Sequence, residues 1–246
     1  MLGLFWLAAL VWPPPDAYSA APAGYGACRI FQRPLSQGDC GACSAFAVST
    51  WIAMHRCLAE GVDEIPSPYR LFDCAGGVCE RGMSVRTAML APCRWDVGDI
   101  ESTAKRFGLP CDAPRPSATR MWLSAYAGTS PALRSALWWQ GPLLGVVDPR
   151  SQSFSEMEAA HNLSHAVVVV GWTRDGWLIQ NSWGSAWGDT HGRGVIPWEG
   201  LEVGFRPVYL SKRAQLVIVL ASFLITCAGA YGFLVPPKKA GSACRI

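Results

Sequence analysis

The chain has 246 residues, half of them hydrophobic and 16% charged, with 12 Trp and a formal net charge of +3. That composition excludes a disordered chain, and Lys and Arg scattered singly argue against a nucleic-acid partner. Ten Cys are too many for an ordinary reduced cytosolic chain, so disulfides or a metal have to be considered.

The first element is Leu2 to Trp12, an eleven-residue apolar run closed by Pro13-Pro14-Pro15. It is too short to cross a bilayer as a helix, and Ser19-Ala20-Ala21 has the form of a cleavage site. Residues 1–21 are therefore expected to be a secretory signal peptide, although no Lys or Arg precedes the run. From Ser44 to Leu58, Ala47, Trp51, Met54 and Leu58 recur at helical spacing, and Gly61 follows as a stop. Further helices are expected over Arg81 to Leu90 and around Ile100 to Phe107. The second half differs: Pro142 to Val147, Ala166 to Gly171 and Trp177 to Gln180 are short apolar runs that read as strands. Thr173-Arg174-Asp175-Gly176 is a hairpin turn between the last two.

A helical half and a β half predict an α+β protein of two lobes. The helical lobe would cover about 22–112 and the β lobe about 113–211, divided near the Pro-rich stretch Pro110 to Pro116. Ala214 to Val235 is twenty-two residues without a charge. At 1.5 Å per residue a helix of that length covers a hydrocarbon core of roughly 30 Å, so a transmembrane helix is expected there, with 236–246 as a short tail. The signal peptide then makes this a single-pass membrane protein of the secretory pathway, its folded body luminal or extracellular and in an oxidising compartment.

Gln37-Gly38-Asp39-Cys40-Gly41-Ala42-Cys43 sets Cys43 at the first turn of the long helix, where unsatisfied N–H groups and the helix dipole favour a thiolate. A thiolate nucleophile needs a base. In the hairpin, residues whose numbers sum to about 347 should face each other, which brings His165 beside Asn181. An Asn carbonyl accepting the imidazole N–H would fix the ring's tautomer and leave its other nitrogen for a thiolate.

Three runs carry a more specific signal: Gln37 to Phe46, Ser164-His165-Ala166-Val167, and Asn181-Ser182-Trp183-Gly184-Ser185-Ala186-Trp187-Gly188. Together with Pro142 to Asp148 and Gly204 to Val208, they resemble the papain/cathepsin family of cysteine peptidases. The similarity runs from about Tyr25 to Tyr209. It implies a papain-like two-lobed fold and a cysteine-type endopeptidase without cofactor or metal, acting on protein or peptide substrates. Cys43 would be the nucleophile, His165 the general base and acid, and Asn181 its orienting residue. Gln37 would donate to the oxyanion with the Cys43 backbone N–H, and Trp183 would shield the Asn–His bond. Gly82, Val146, Ala166 and Val203 would contact substrate, with a preference for a bulky apolar side chain one residue before the scissile position. The resemblance also implies disulfides Cys40–Cys79 and Cys74–Cys111. Cys28, Cys57 and Cys93 remain an odd set, with Cys28–Cys57 and Cys57–Cys93 both open.

The chain departs from the family in several places. Ser44 stands where an aromatic usually follows the nucleophile, which should alter packing on the oxyanion side. Cys79-Glu80-Arg81-Gly82 has lost a glycine, and the Cys43 to His165 spacing of 122 residues is slightly short. Only fifteen residues separate Ala21 from Gln37, too few for an inhibitory propeptide, so an active enzyme would be restrained by trafficking, pH or a regulatory partner. Asn162-Leu163-Ser164 is a glycosylation sequon beside His165. Two other readings compete with the peptidase: an inactive membrane-anchored binding ectodomain of the same fold, and a zinc module on Cys40, Cys43, Cys74 and Cys79.

Overall fold

The computed structural model describes residues 16–20, 28–90, 97–98, 124–126, 130–148, 164–189 and 191–206. The helix expected over Ile100 to Phe107, the Pro110 to Pro116 boundary, the Asn162 sequon, and Cys93, Cys111, Cys227 and Cys244 lie outside these residues.

The central element is helix α1, Cys43–Glu60. Phe46, Ala47, Val48, Trp51 and Met54 are all buried, as are the small residues between them, so the helix is enclosed on most sides. It ends where Gly61 takes φ +76° and donates its N–H to the Cys57 carbonyl, a conformation that costs glycine little. Helix α2, Pro68–Cys74, starts at the Ser67 side chain, which accepts the Arg70 N–H, and has Pro68 in its first turn. Helix α3, Val85–Leu90, is shorter than the stretch expected from Arg81. Gly82 at φ +65° cannot be part of a right-handed helix, and the Ser84 hydroxyl caps the real start by accepting the Thr87 N–H at 3.0 Å. A small antiparallel pair, β2 (Ile65–Pro66) and β3 (Val97–Gly98), lies on this side.

The second half supplies most of an antiparallel sheet. Its strands are β1 (Tyr18–Ser19), β4 (Ser124–Tyr126), β5 (Leu143–Val147), β6 (His165–Trp172), β7 (Trp177–Gln180), β8 (Arg193–Ile196) and β9 (Leu201–Arg206). Their order is β4-β9-β5-β6-β7-β8, with β1 also on β6. Strand β6 is buried along its whole length. Ala166, Val168 and Val170 pack with Phe46, Trp51 and Met54 of α1, whereas Val167 and Val169 enter a second core with Trp177, Ile179 and Ile196. A strand covered on both faces needs no polar alternation, which is why its sequence is a run of Val. Helix α4, Ser130–Gln140, adds Leu133, Ala136 and Leu137 to the second core.

Two side chains of α1 reach across to the chain entering β5. Trp51 donates its indole N–H to the Pro142 carbonyl at 2.9 Å, and His55 Nε2 meets the same oxygen at 2.7 Å. A carbonyl only accepts, so His55 carries its proton on Nε2. Burial lowers the His55 pKa to about 4, against a smaller upward pull from the Pro142 hydrogen bond.

Residues 16–20 stand before the expected mature boundary, yet they are packed into the sheet. Tyr18 and Ser19 pair with Trp172 and Gly171, the Ala20 N–H donates to the Val170 carbonyl at 2.7 Å, and the Tyr18 ring meets Trp138 edge-on and Trp172 at a tilt. Gly171 makes this possible, because a Cβ there would sit 2.1 Å from the Tyr18 carbonyl oxygen. Among the described residues no helix is long and apolar enough to cross a membrane. The expected span at 214–235 lies outside them, as do residues 1–15 and 21 of the expected signal peptide.

Candidate active site

Cys43 is the first residue of α1, preceded by Ala42 with no side-chain cap. Its backbone N–H therefore belongs to the first turn, whose N–H groups the helix's own carbonyls do not satisfy. Cys43 is half-buried, takes part in no disulfide, and packs against the core cluster that holds Ala166 and Val168 of β6.

The cysteines around it are oxidised. Cys40 is bridged to Cys79 and Cys28 to Cys57, which decides between the two open pairings of Cys57. Cys74 is also disulfide-bonded, while its expected partner Cys111 is not among the described residues. The zinc module is thereby overturned: Cys40, Cys74 and Cys79 have no thiolate to offer a metal. Among the described residues no other group of His, Cys, Asp or Glu could hold one.

His165 opens β6 and is almost wholly buried. Its Nε2 lies 2.7 Å from Asn181 Oδ1. The same Oδ1 accepts the backbone N–H of Ser182 at 2.7 Å, so the Asn181 amide is oriented with its oxygen inward. An oxygen acceptor requires Nε2 to carry the hydrogen, which leaves Nδ1 as the basic nitrogen of the neutral ring. Trp183 lies over the imidazole with ring centroids 4.8 Å apart, and Trp187 stands edge-on to Trp183.

The hairpin register differs slightly from the sequence expectation. Val168 pairs with Gln180 and Val169 with Ile179, so facing numbers sum to 348, and a bulge shifts Gly171 onto Leu178. His165 and Asn181 are consequently diagonal neighbours. The long imidazole and amide still meet across that diagonal.

Gln37 connects the two halves. Its Nε2 donates to the Cys40 carbonyl at 2.9 Å, and its Oε1 accepts the Ser182 hydroxyl at 2.6 Å. The backbones are stitched alongside: the Gln37 N–H donates to the Ser182 carbonyl, the Gly184 N–H to the Leu35 carbonyl, and Ser36 bridges Trp183. The segment leading to Cys43 is thus clamped to the segment that carries Asn181. Ser182 has no role in the sequence reading, although it lies inside the quoted Asn-Ser-Trp-Gly run.

One wall of this region is the turn 78–82. The Gly41 N–H donates to the Cys79 carbonyl at 2.9 Å, and a Cβ on Gly82 would lie 2.8 Å from the Gly41 carbonyl oxygen. On the β side, Val146 pairs with both Ala166 and Val203, so the three expected substrate-contacting positions form one row across β9, β5 and β6. Ser44, which follows the nucleophile candidate directly, packs against the chain at Met83. It is buried and donates its hydroxyl to the Met83 carbonyl at 2.7 Å.

Known proteins share sequence similarity and fold with this chain. A family model described as papain family cysteine protease matches residues 130–194. The digestive cysteine proteinase 1 of Homarus americanus is 27% identical over 183 residues, covering 63% of this chain and 55% of the relative. Cathepsin J of Mus musculus is 27% identical over 185 residues, covering 62% and 53%. Among solved structures, proCathepsin B S9 from Trypanosoma congolense superposes with a TM-score of 0.61 at 17% identity, covering 81% of this chain and 80% of the other. The chain is similar in sequence to papain-family cysteine peptidases and has their fold. A Carica candamarcensis cysteine protease solved in complex with E-64 gives a TM-score of 0.58 at 19% identity, over 78% of this chain and 98% of that one. These neighbours show a papain-like α+β fold. The chain spans about half the length of these curated relatives.

Proposed function

We propose that the protein is a cysteine-type endopeptidase whose reacting groups are Cys43 and His165. The observation that carries this reading is the His165–Asn181 pair, with Asn181 Oδ1 turned toward Nε2 by the Ser182 N–H. This leaves Nδ1 to exchange a proton with the Cys43 thiol, which lies at the start of α1 and outside every disulfide. The Cys43 sulfur attacks the substrate carbonyl, and His165 passes the proton to the leaving amine. Water activated by the same imidazole then releases the acyl group from the thioester. The tetrahedral oxyanion is held by the Cys43 N–H and a Gln37 N–H. An amide has two such hydrogens, and Gln37 uses one on the Cys40 carbonyl. A donor of this kind contributes roughly 2.7–4 kcal/mol to the transition state. Trp183 covers the His165–Asn181 bond, which strengthens it by excluding water.

Protein or peptide substrates would pair along Gly82 and place an apolar side chain against the row of Val146, Ala166 and Val203. Disulfides at Cys28–Cys57 and Cys40–Cys79 fit an oxidising compartment, and with it a luminal or extracellular body held by a span at 214–235. A thiol-directed peptidyl epoxide tests the central claim. It should label the purified wild-type protein and fail on Cys43→Ala. A folded wild type left unlabelled from pH 4 to 8 would support the binding ectodomain instead.

A further inference from the structure

Ser44 is the residue that the resemblance leaves without a function, and its contacts give it one. We propose that the Ser44 hydroxyl is a positioning group for substrate binding: it fixes the Gly82–Met83 backbone relative to Cys43, so that an extended peptide finds both in register. The inference rests on the peptidase reading and deepens it.

Three links join residues flanking the nucleophile to the neighbouring turn. Cys40 is bridged to Cys79, the Gly41 N–H donates to the Cys79 carbonyl, and Ser44 donates to the Met83 carbonyl at 2.7 Å. The first two hold only the front of the turn. Beyond Cys79 the chain runs through Glu80 and Arg81, both exposed, to Gly82 at φ +65°. The Arg81 and Gly82 N–H groups close the turn internally on the Val78 carbonyl and supply no further tie to α1. Ser44 is the tie at the far end. It belongs to the first turn of α1, adjacent to Cys43, and is only 3% exposed, so its hydroxyl has little water to bond with instead. A Ser in the first helical turn that bonds across the fold, and not back to its own helix, spends its hydroxyl on a tertiary contact. Gly82 lies between the two anchored points. Its backbone is held against the Gly41 carbonyl so closely that a side chain would not fit.

The test compares two substrates and one alkylating agent on the full chain. Substrates differ only in length, with one or three residues before the scissile bond; the longer one reaches the Gly82 wall. In Ser44→Ala, kcat/KM for the longer substrate should fall about fivefold, the value of one neutral hydrogen bond of about 1 kcal/mol. The fall should be carried by KM, with the short substrate and the iodoacetamide reaction of Cys43 within twofold of wild type. Ser44→Thr, which keeps a hydroxyl, should restore the longer substrate. Equal losses on both substrates, or no loss on either, would overturn the proposal. Should Ser44→Ala not fold, Ser44→Thr against Ser44→Val makes the same comparison between isosteric side chains. A wild type that hydrolyses neither substrate refutes the peptidase reading itself, whereas an active wild type indifferent to Ser44 refutes only this inference.

Discussion

His55 should make the folded protein lose stability in mild acid. The ring is buried between α1 and the Pro142 carbonyl, and desolvation lowers its pKa to about 4 from the ordinary 6.5. Between those values the unfolded chain binds a proton that the folded chain does not. Stability from this group is therefore complete above pH 6.5 and declines as pH falls toward 4. A difference of about 2.5 units at 1.36 kcal/mol per unit gives a loss of about 3 kcal/mol across that window. That is a large share of a domain's total. Urea unfolding of wild type and His55→Gln at half-unit steps from pH 7.5 to 4 measures it. Gln can offer an N–H to the Pro142 carbonyl but does not titrate in this range. The wild-type curve should fall about 3 kcal/mol further than the variant's. Parallel curves would refute the reasoning, because they would mean that the buried ring is protonated in the fold at no cost.

Other outcomes follow from single contacts. Asn181→Ala should lower kcat/KM roughly 10- to 150-fold, the rate equivalent of a hydrogen bond of about 1.5–3 kcal/mol to a group that becomes charged. The loss would be visible in steady-state hydrolysis with the fold unchanged by circular dichroism. Gly171→Ala should destabilise by about 1–3 kcal/mol through overpacking, since its Cβ would collide with the Tyr18 carbonyl. Limited proteolysis should then cut near Tyr18 faster than in wild type. Replacing Cys40 and Cys79 together by Ser opens a loop with a sequence separation of 39 and should cost about 4 kcal/mol in denaturant titration.

The parts of the fold that could be read in advance are those whose cause is local. Helix α1 declares itself through Ala47, Trp51, Met54 and Leu58, and Gly61 ends it as expected. Strand β7 occupies the Trp177–Gln180 stretch, because a turn and an apolar run bound it. Helix α4 has an equally local signature in Leu133, Ala136, Leu137 and the Gly141 stop, diluted by the small residues around it. Helix α2 is too short for periodicity, and only its Ser67-Pro68 start marks it. Distant partners are a different matter. The environment of His55 is set by a carbonyl 87 positions away, and nothing in the helix pattern distinguishes it from a surface histidine. The His165–Asn181 meeting was legible because both residues flank one hairpin, but the bulge that makes it diagonal has no marker in the sequence. The Ser182 contact to Gln37 spans 145 positions and required the folded chain to be seen.

The strand formed by Tyr18 and Ser19 bears on how much of the amino terminus can be removed. Proteolytic trimming that stops before Asp16 leaves the Tyr18–Ser19 strand in place. A cut four or five residues further would strip a tyrosine from between two tryptophans and open the edge of the Val-rich strand to water. The sheet itself thus protects its leading edge, and mass spectrometry of the mature protein should find the first residue at or upstream of Asp16.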